Sequence, residues 1–181
     1  MIEIYTDGST KGNGKKHNHG GWGIVVLYQE QEKINLITTI SAQEEDTTNN
    51  KMEIKALLSA LDLATNELKE KECVIKSDSA YCVNMFNEWI RGWARNNWIT
   101  SAKQPVKNLD LVKELYKYSI IDFPNFSVER VSGHCGNVGN ELADALATND
   151  QDKFNKILKE NKNIVWINIS SENIFDFFKK I

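Results

Sequence analysis

Residues 2–9 read Ile-Glu-Ile-Tyr-Thr-Asp-Gly-Ser, and the rest of the chain is organised around them. Ile2 and Ile4 alternate with Glu3 and Tyr5, and β-branched and aromatic residues at period two read as a strand. Gly8 releases the backbone directly after an acid, Asp7. A carboxylate near the end of a buried strand costs free energy unless something compensates it. Residues 73–79, Cys-Val-Ile-Lys-Ser-Asp-Ser, repeat the arrangement of a hydrophobic run, an Asp and a Ser. Two such strands side by side would put Asp7 against Asp78. A bound divalent cation is the usual remedy for like charges at that spacing.

Outward from these strands, residues 22–28 and 33–41 are apolar enough for two more. Short turns make an antiparallel meander of the first three. The connection over 10–21 is rich in Gly and Asn. Its His17 and His19 have no Cys or third His at ligand spacing and read as solvated. Asn49 or Asn50 would cap a helix running from about 51 to about 68, with Leu57, Ala60, Leu61, Ala64 and Leu68 as its apolar stripe. Glu53 lies one turn before Leu57 on that stripe. The competing reading of this core-facing acid is a first-turn side chain snorkelling outward, favoured by the helix dipole.

After the Asp78 strand come residues 80–90 and a segment dense in tryptophan: Trp89, Arg91, Trp93, Arg95, Trp98, then Lys103 and Lys107. Interleaved basic and aromatic side chains can contact phosphates and sugars of a nucleic acid. The alternative is a helical pair packed with tryptophan. A further helix over 108–118 and a strand over 126–131 complete the core elements. Residues 132–140 form a glycine-rich loop with one histidine, His134, leading into a helix over 141–148. There Val138, Leu142, Ala145 and Leu146 face the core and Asp144 does not, so periodicity alone would leave it a solvated acid. Residues 153–162 are a polar helix candidate, 164–167 a short apolar run, and 174–181 an amphipathic end.

The 181 residues suffice for one domain with a real core, and 41% hydrophobic with 26% charged residues is the balance of a soluble globular protein. The net charge of -3 and pI of about 5.7 mean that any nucleic-acid-binding surface must be a local one. Cys73, Cys82 and Cys135 show no CxxC spacing, which fits reduced thiols in the cytosol. No apolar run approaches the ~18 residues of a membrane span. The first residues lack the layout of a signal peptide.

Asp7, Glu53, Asp78 and Asp144 thus fall on a strand end, a helix start, a second strand end and a last helix. Ligands in open α/β sheets gather at the carboxyl ends of strands. Hard carboxylate oxygens select Mg²⁺ or Mn²⁺ over zinc. The surroundings of these acids carry a resemblance. Tyr-Thr-Asp-Gly-Ser (5–9), Thr-Asn-Asn-Lys-Met-Glu (48–53), Ser-Asp-Ser-Ala-Tyr (77–81), Pro-Val-Lys-Asn-Leu-Asp-Leu (105–111), Val-Ser-Gly-His-Cys-Gly (131–136) and Gly-Asn-Glu-Leu-Ala-Asp-Ala-Leu-Ala (139–147) occur in that order. With them the chain resembles the type 1 ribonuclease H family, nucleases that cut the RNA strand of RNA·DNA hybrids. Several motifs in register are specific where a lone TDGS is not.

The resemblance implies an α/β fold: a five-stranded mixed sheet, antiparallel over its first three strands and then parallel, flanked by helices. It covers 1–150 as catalytic domain and leaves 151–181 as an extension of unknown role. The family's metal ligands fall on Asp7, Gly8, Glu53, Asp78 and Asp144, and its catalytic-loop histidine on His134. Its hybrid-contacting residues fall on Asn13, Thr48, Asn49 and Asn50, and its basic protrusion on the segment of Trp89, Arg91, Trp93 and Arg95. Two Mg²⁺ ions about 4 Å apart, replaceable by Mn²⁺, would share the scissile phosphate. Asp7 would bridge them, Glu53 and Asp78 serving one and Asp144 the other. One ion would activate water and the other stabilise the leaving 3′ oxygen. His134 would relay protons or help product leave, and the product would carry a 5′ phosphate and a 3′ hydroxyl. Contacts to 2′-hydroxyls would select RNA in the cut strand.

The chain departs from the family at Ala80, where many relatives have a glutamine contacting the hybrid. It also has a longer loop after Asn13 and a less basic protrusion. The expected protein is a monomer in the cytoplasm, acting on the hybrid and not on a membrane. Two alternatives remain at this point: a nuclease of the same fold that cuts DNA, and a non-catalytic hybrid-binding module. A binding module has no need to cluster negative charge beside phosphates.

Overall fold

The computed structural model describes residues 1–12, 17–69, 71–122, 124–133, 136–170 and 173–179, Phe175 by its backbone alone. Its strands are β1 (Ile2–Lys11), β2 (His19–Glu30), β3 (Lys33–Glu45), β4 (Cys73–Ser77), β5 (Phe126–Arg130) and β6 (Ile164–Trp166). They form one sheet in the order β5-β4-β1-β2-β3-β6. β1–β2 and β2–β3 pair antiparallel, as the meander predicts. β1–β4, β4–β5 and β3–β6 pair parallel. The helices are α1 (Asn49–Asn66), α2 (Ala80–Asn84), α3 (Ile90–Arg95), α4 (Leu109–Ser119), α5 (Val138–Ala147), α6 (Gln151–Glu160) and α7 (Ile174–Lys179). A π-helical turn, Met85–Trp89, joins α2 to α3.

The period-two pattern of β1 serves two cores. Ile2 and Ile4 pack with Leu57 and Leu61 of α1 in one apolar cluster. Tyr5 belongs to a second cluster with Leu142 of α5 and Phe154 of α6. A central strand covered on both faces has no solvent side, so an acid on it must face a helix or the strand's end.

The stripe expected on α1, Leu57, Ala60, Leu61, Ala64 and Leu68, is fully buried, and Met52, Ile54 and Ala56 join it. The burial is wider than one stripe because α1 lies on β1 and β2 and under α4 and α2. Each fully buried Leu or Ile there contributes about 1.5–3 kcal/mol.

Three expectations are corrected. The sheet has a sixth strand, because 164–166 lies beside β3 at the sheet's edge. The Ile167 N–H donates to the Leu36 carbonyl (2.9 Å) just beyond it, extending the contact. The N-cap of α1 is Thr48, whose hydroxyl accepts from the Lys51 N–H (3.3 Å); Asn49 and Asn50 are the first helical residues. The helix after the glycine-rich loop begins at Val138, where the Asn137 side chain accepts from the N–H groups of Gly139 and Asn140. Among the described residues no helix is long and apolar enough to cross a membrane. Cys73 and Cys82 are buried free thiols, and burial pushes each up to about 12.

Candidate active site

β1 and β4 run parallel with Thr6 beside Ser77, so the residues that follow, Asp7 and Asp78, emerge side by side. The third acid arrives from α1. A Cβ on Gly8 would come within 2.7 Å of the Glu53 Cα, so only glycine lets the first turn of α1 lie directly on β1. Carboxylate oxygens of Asp7, Glu53 and Asp78 all lie within 4.8 Å of one another. α5 makes a similar close approach from the other face, over Gly23, whose Cβ would meet the Ala143 carbonyl at 2.9 Å. Gly23 is the β2 partner of Asp7. Asp144, on that helix, lies near enough for its charge to act on Asp7, outside the close group of three. It is half-buried and ion-paired with Lys153, not the solvated acid that periodicity suggests.

Asp7 and Glu53 are each 6% exposed. Burial first, then the carboxylates of Asp78 and Asp144, pushes the Asp7 carboxyl up to about 8, against the Gly8 N–H donated to its Oδ1 at 2.9 Å. Burial first, then Asp7 and Asp78, pushes Glu53 up to about 9. Glu53 Oε2 is buried without a hydrogen-bond partner among the described residues. Such an atom is rare in a folded protein and marks a place for an absent partner. Three hard oxygen donors, like-charged and close, with one oxygen unpartnered, suit a divalent cation.

Two residues that the sequence reading passed over hold this arrangement. Asn140, 2% exposed, donates from Nδ2 to Asp78 Oδ2 at 3.2 Å. Gly133 lies so close that a Cβ there would be 2.8 Å from the same oxygen. Asn140 stands one turn before Asp144, on the side of α5 that periodicity leaves to solvent, so no sequence pattern singles it out; its burial comes with its contact to Asp78.

Thr48 and Asn50 are exposed and Asn49 half-buried at the start of α1, one turn before Glu53. Asn49 Oδ1 accepts from the Thr10 hydroxyl at 3.5 Å. Trp89 and Trp93 pack against each other with ring centroids 5.8 Å apart, and Trp89 also meets Tyr81. Arg91 donates through its guanidinium to the Ser119 carbonyl at the end of α4. Arg95 is exposed. Asn13 and His134 lie outside the described residues.

The RNase H family model matches residues 1–152. The chain is 42% identical over 162 residues to a ribonuclease H of Caldanaerobacter subterraneus subsp. tengcongensis, covering 89% of this chain and 95% of that protein. It is 40% identical over 162 residues to a ribonuclease H of Orientia tsutsugamushi, covering 90% and 89%. The foamy viral protease-reverse transcriptase, solved in complex with RNA/DNA hybrid, superposes with a TM-score of 0.70 at 25% identity, over 85% of this chain and 20% of that one. With a mixed sheet opening on an antiparallel meander and acids gathered at its strand ends, the chain belongs to the ribonuclease H family of hydrolytic endoribonucleases.

Proposed function

We propose that this protein hydrolyses the RNA strand of RNA·DNA hybrids internally, leaving 5′-phosphate and 3′-hydroxyl ends, with Mg²⁺ as its cation and Mn²⁺ as a substitute. The observation that carries the reading is the convergence of Asp7, Glu53 and Asp78 within 4.8 Å, two of them buried, on a ribonuclease H fold. Asp7, Glu53, Asp78 and Asp144 would hold two ions, with the Gly8 backbone beside them. When bound, the ions supply Lewis acidity and lower the pKa of water.

The chain's own residues do the rest. Gly8 sets how far Glu53 reaches over β1. Asn140 orients the Asp78 carboxylate through its Nδ2 hydrogen bond. His134 follows Gly133, which lies against Asp78, and would take or return a proton near the leaving oxygen. Thr48, Asn49 and Asn50, at the N-terminus of α1, would meet the hybrid where backbone N–H groups and the helix dipole favour phosphate, and Asn13 would join them. Trp89 and Trp93 would give Arg91 and Arg95 a stiff support against the backbone of the hybrid. Residues 1–150 would carry this machinery, with 151–181 as an extension, in a cytoplasmic monomer. The buried free thiols of Cys73 and Cys82 fit that compartment.

The test is cleavage of matched hybrid, duplex RNA and duplex DNA in Mg²⁺, Mn²⁺ and EDTA. The hybrid should be cut internally in its RNA strand only when metal is present. Equal cutting of duplex DNA, or cutting that persists in EDTA, would refute the reading.

A further inference from the structure

Counter-charge is unevenly distributed over the four acids. Lys153 Nζ is ion-paired with Asp144 Oδ2. Among the described residues no ion pair reaches Asp7, Glu53 or Asp78. Lys153 stands in the first turn of α6, just past the matched family segment of 1–152. Its backbone is fixed independently of Asp144. The Lys153 N–H donates to the capping Asp150 Oδ1 at 2.9 Å, and the next residue, Phe154, is fully buried against the sheet. The side chain reaches back across the turn between α5 and α6. Both partners line an open cleft of about 570 Å³, shared with Lys11, Thr148 and Asp150. The Lys153 side chain is 37% exposed and that of Asp144 20%, so the ammonium has solvent to move into.

We propose that Lys153 is a resident counter-ion of Asp144 that competes with divalent cations for this carboxylate and so sets the affinity of the Asp144-dependent metal site. The proposal rests on the reading of the four acids as a metal site. The ammonium holds Oδ2, and a dication entering at either oxygen of this carboxylate meets the Lys153 charge at close range, so loading that ion works against the lysine. A half-exposed ion pair contributes modestly, equivalent to a factor of about two to five in an equilibrium, so the lysine weakens loading without blocking it. Asp7, Glu53 and Asp78, with no such occupant, would fill first.

The experiment is calorimetric titration of the full chain with Mn²⁺, for wild type, Lys153→Met, Lys153→Arg, Asp144→Asn and the Asp144→Asn/Lys153→Met double variant. Lys153→Met should tighten the weaker binding event about two- to fivefold and leave the tighter one in place. The Mn²⁺ concentration for half-maximal hybrid cleavage should fall by the same factor. Lys153→Arg should behave as wild type, and Lys153→Met should change little when Asp144 is already Asn. An unchanged or lowered affinity in Lys153→Met, or the same gain in the Asp144→Asn background, would overturn the proposal. Absence of Mn²⁺ binding by wild type would instead sink the metal-site reading on which it rests.

Discussion

Glu53 sits one turn before Leu57 on the buried face of α1, with a carboxyl that has one oxygen unpartnered among the described residues. Its sequence position made the conflict visible, since an acid on an apolar stripe needs a reason. Without metal, the raised carboxyls oppose folding. For an acid whose folded pKa lies above its unfolded value, the folded state holds the proton more tightly. Stability is therefore greatest below the unfolded pKa and falls as pH rises toward the folded one. For Glu53 that window runs from 4.5 to about 9. Melts in EDTA should show the wild type losing stability across it and Glu53→Gln losing less; parallel curves would mean that Glu53 is not strained. Asp7→Asn should abolish cleavage and raise the metal-free Tm near neutral pH, and Mg²⁺ should stabilise wild type more than this variant. An Asp7→Asn protein less stable than wild type in EDTA would show that internal hydrogen bonds outweigh repulsion there. His134→Ala should lower kcat more than it raises KM, by up to about 10²–10⁴-fold. A normal kcat with a badly raised KM would make His134 a binding residue. Asp144 and Lys153 are not legible as partners because they stand nine positions apart across a helix break, and neither violates the periodicity of its own helix.

At the scale of elements, β1, β4 and α1 could be read directly because each has one dominant hydrophobic period. The cap of α1 could not be singled out in Thr47-Thr48-Asn49-Asn50, where four residues can all cap and only the local φ/ψ decides. In the sequence β6 is only a short apolar run, because three residues paired at a sheet edge carry no period of their own. The approach of α1 to β1 depends on Gly8. Gly8→Ala should destabilise the fold by about 1–3 kcal/mol and lower cleavage with it, as Glu53 is carried away from Asp7. Denaturant melts alongside kinetics would check this, and an active, fully stable variant would show that the contact relaxes cheaply. In the tryptophan segment the two arginines should separate. Arg91 donates to the Ser119 carbonyl, so its loss should lower Tm. Exposed Arg95, if it meets phosphate, should raise KM on substitution and reduce the salt slope by roughly one. A salt slope that survives Arg95→Ala would remove that residue from the hybrid interface.

Across the whole molecule, the sheet buries both faces, and its second core is closed by residues beyond 150. Phe154 and Ile157 of α6 pack with Tyr5, Leu36 and Leu142, and the Phe154 ring meets Trp166 at 5.7 Å. The extension therefore contributes to the same core that positions α5 and Asp144. Phe154→Ala should cost about 3–5 kcal/mol by denaturant unfolding; a loss below ~1 kcal/mol would make the extension an appendage. The sequence showed this helix as polar because only its narrow inner face is apolar. On the function proposed above, the acids gathered at the ends of β1 and β4 and the start of α1 make a metal-dependent nuclease that distinguishes RNA from DNA within one strand. The most direct measurement uses a DNA duplex with a short ribonucleotide run in one strand, labelled at both ends, with wild type and Asp7→Asn in Mg²⁺ and in EDTA. Cuts confined to the ribonucleotide run, leaving 5′-phosphate ends and lost in EDTA and in Asp7→Asn, are the predicted result. Cuts within the deoxynucleotide flanks, or cleavage that survives Asp7→Asn, would contradict it.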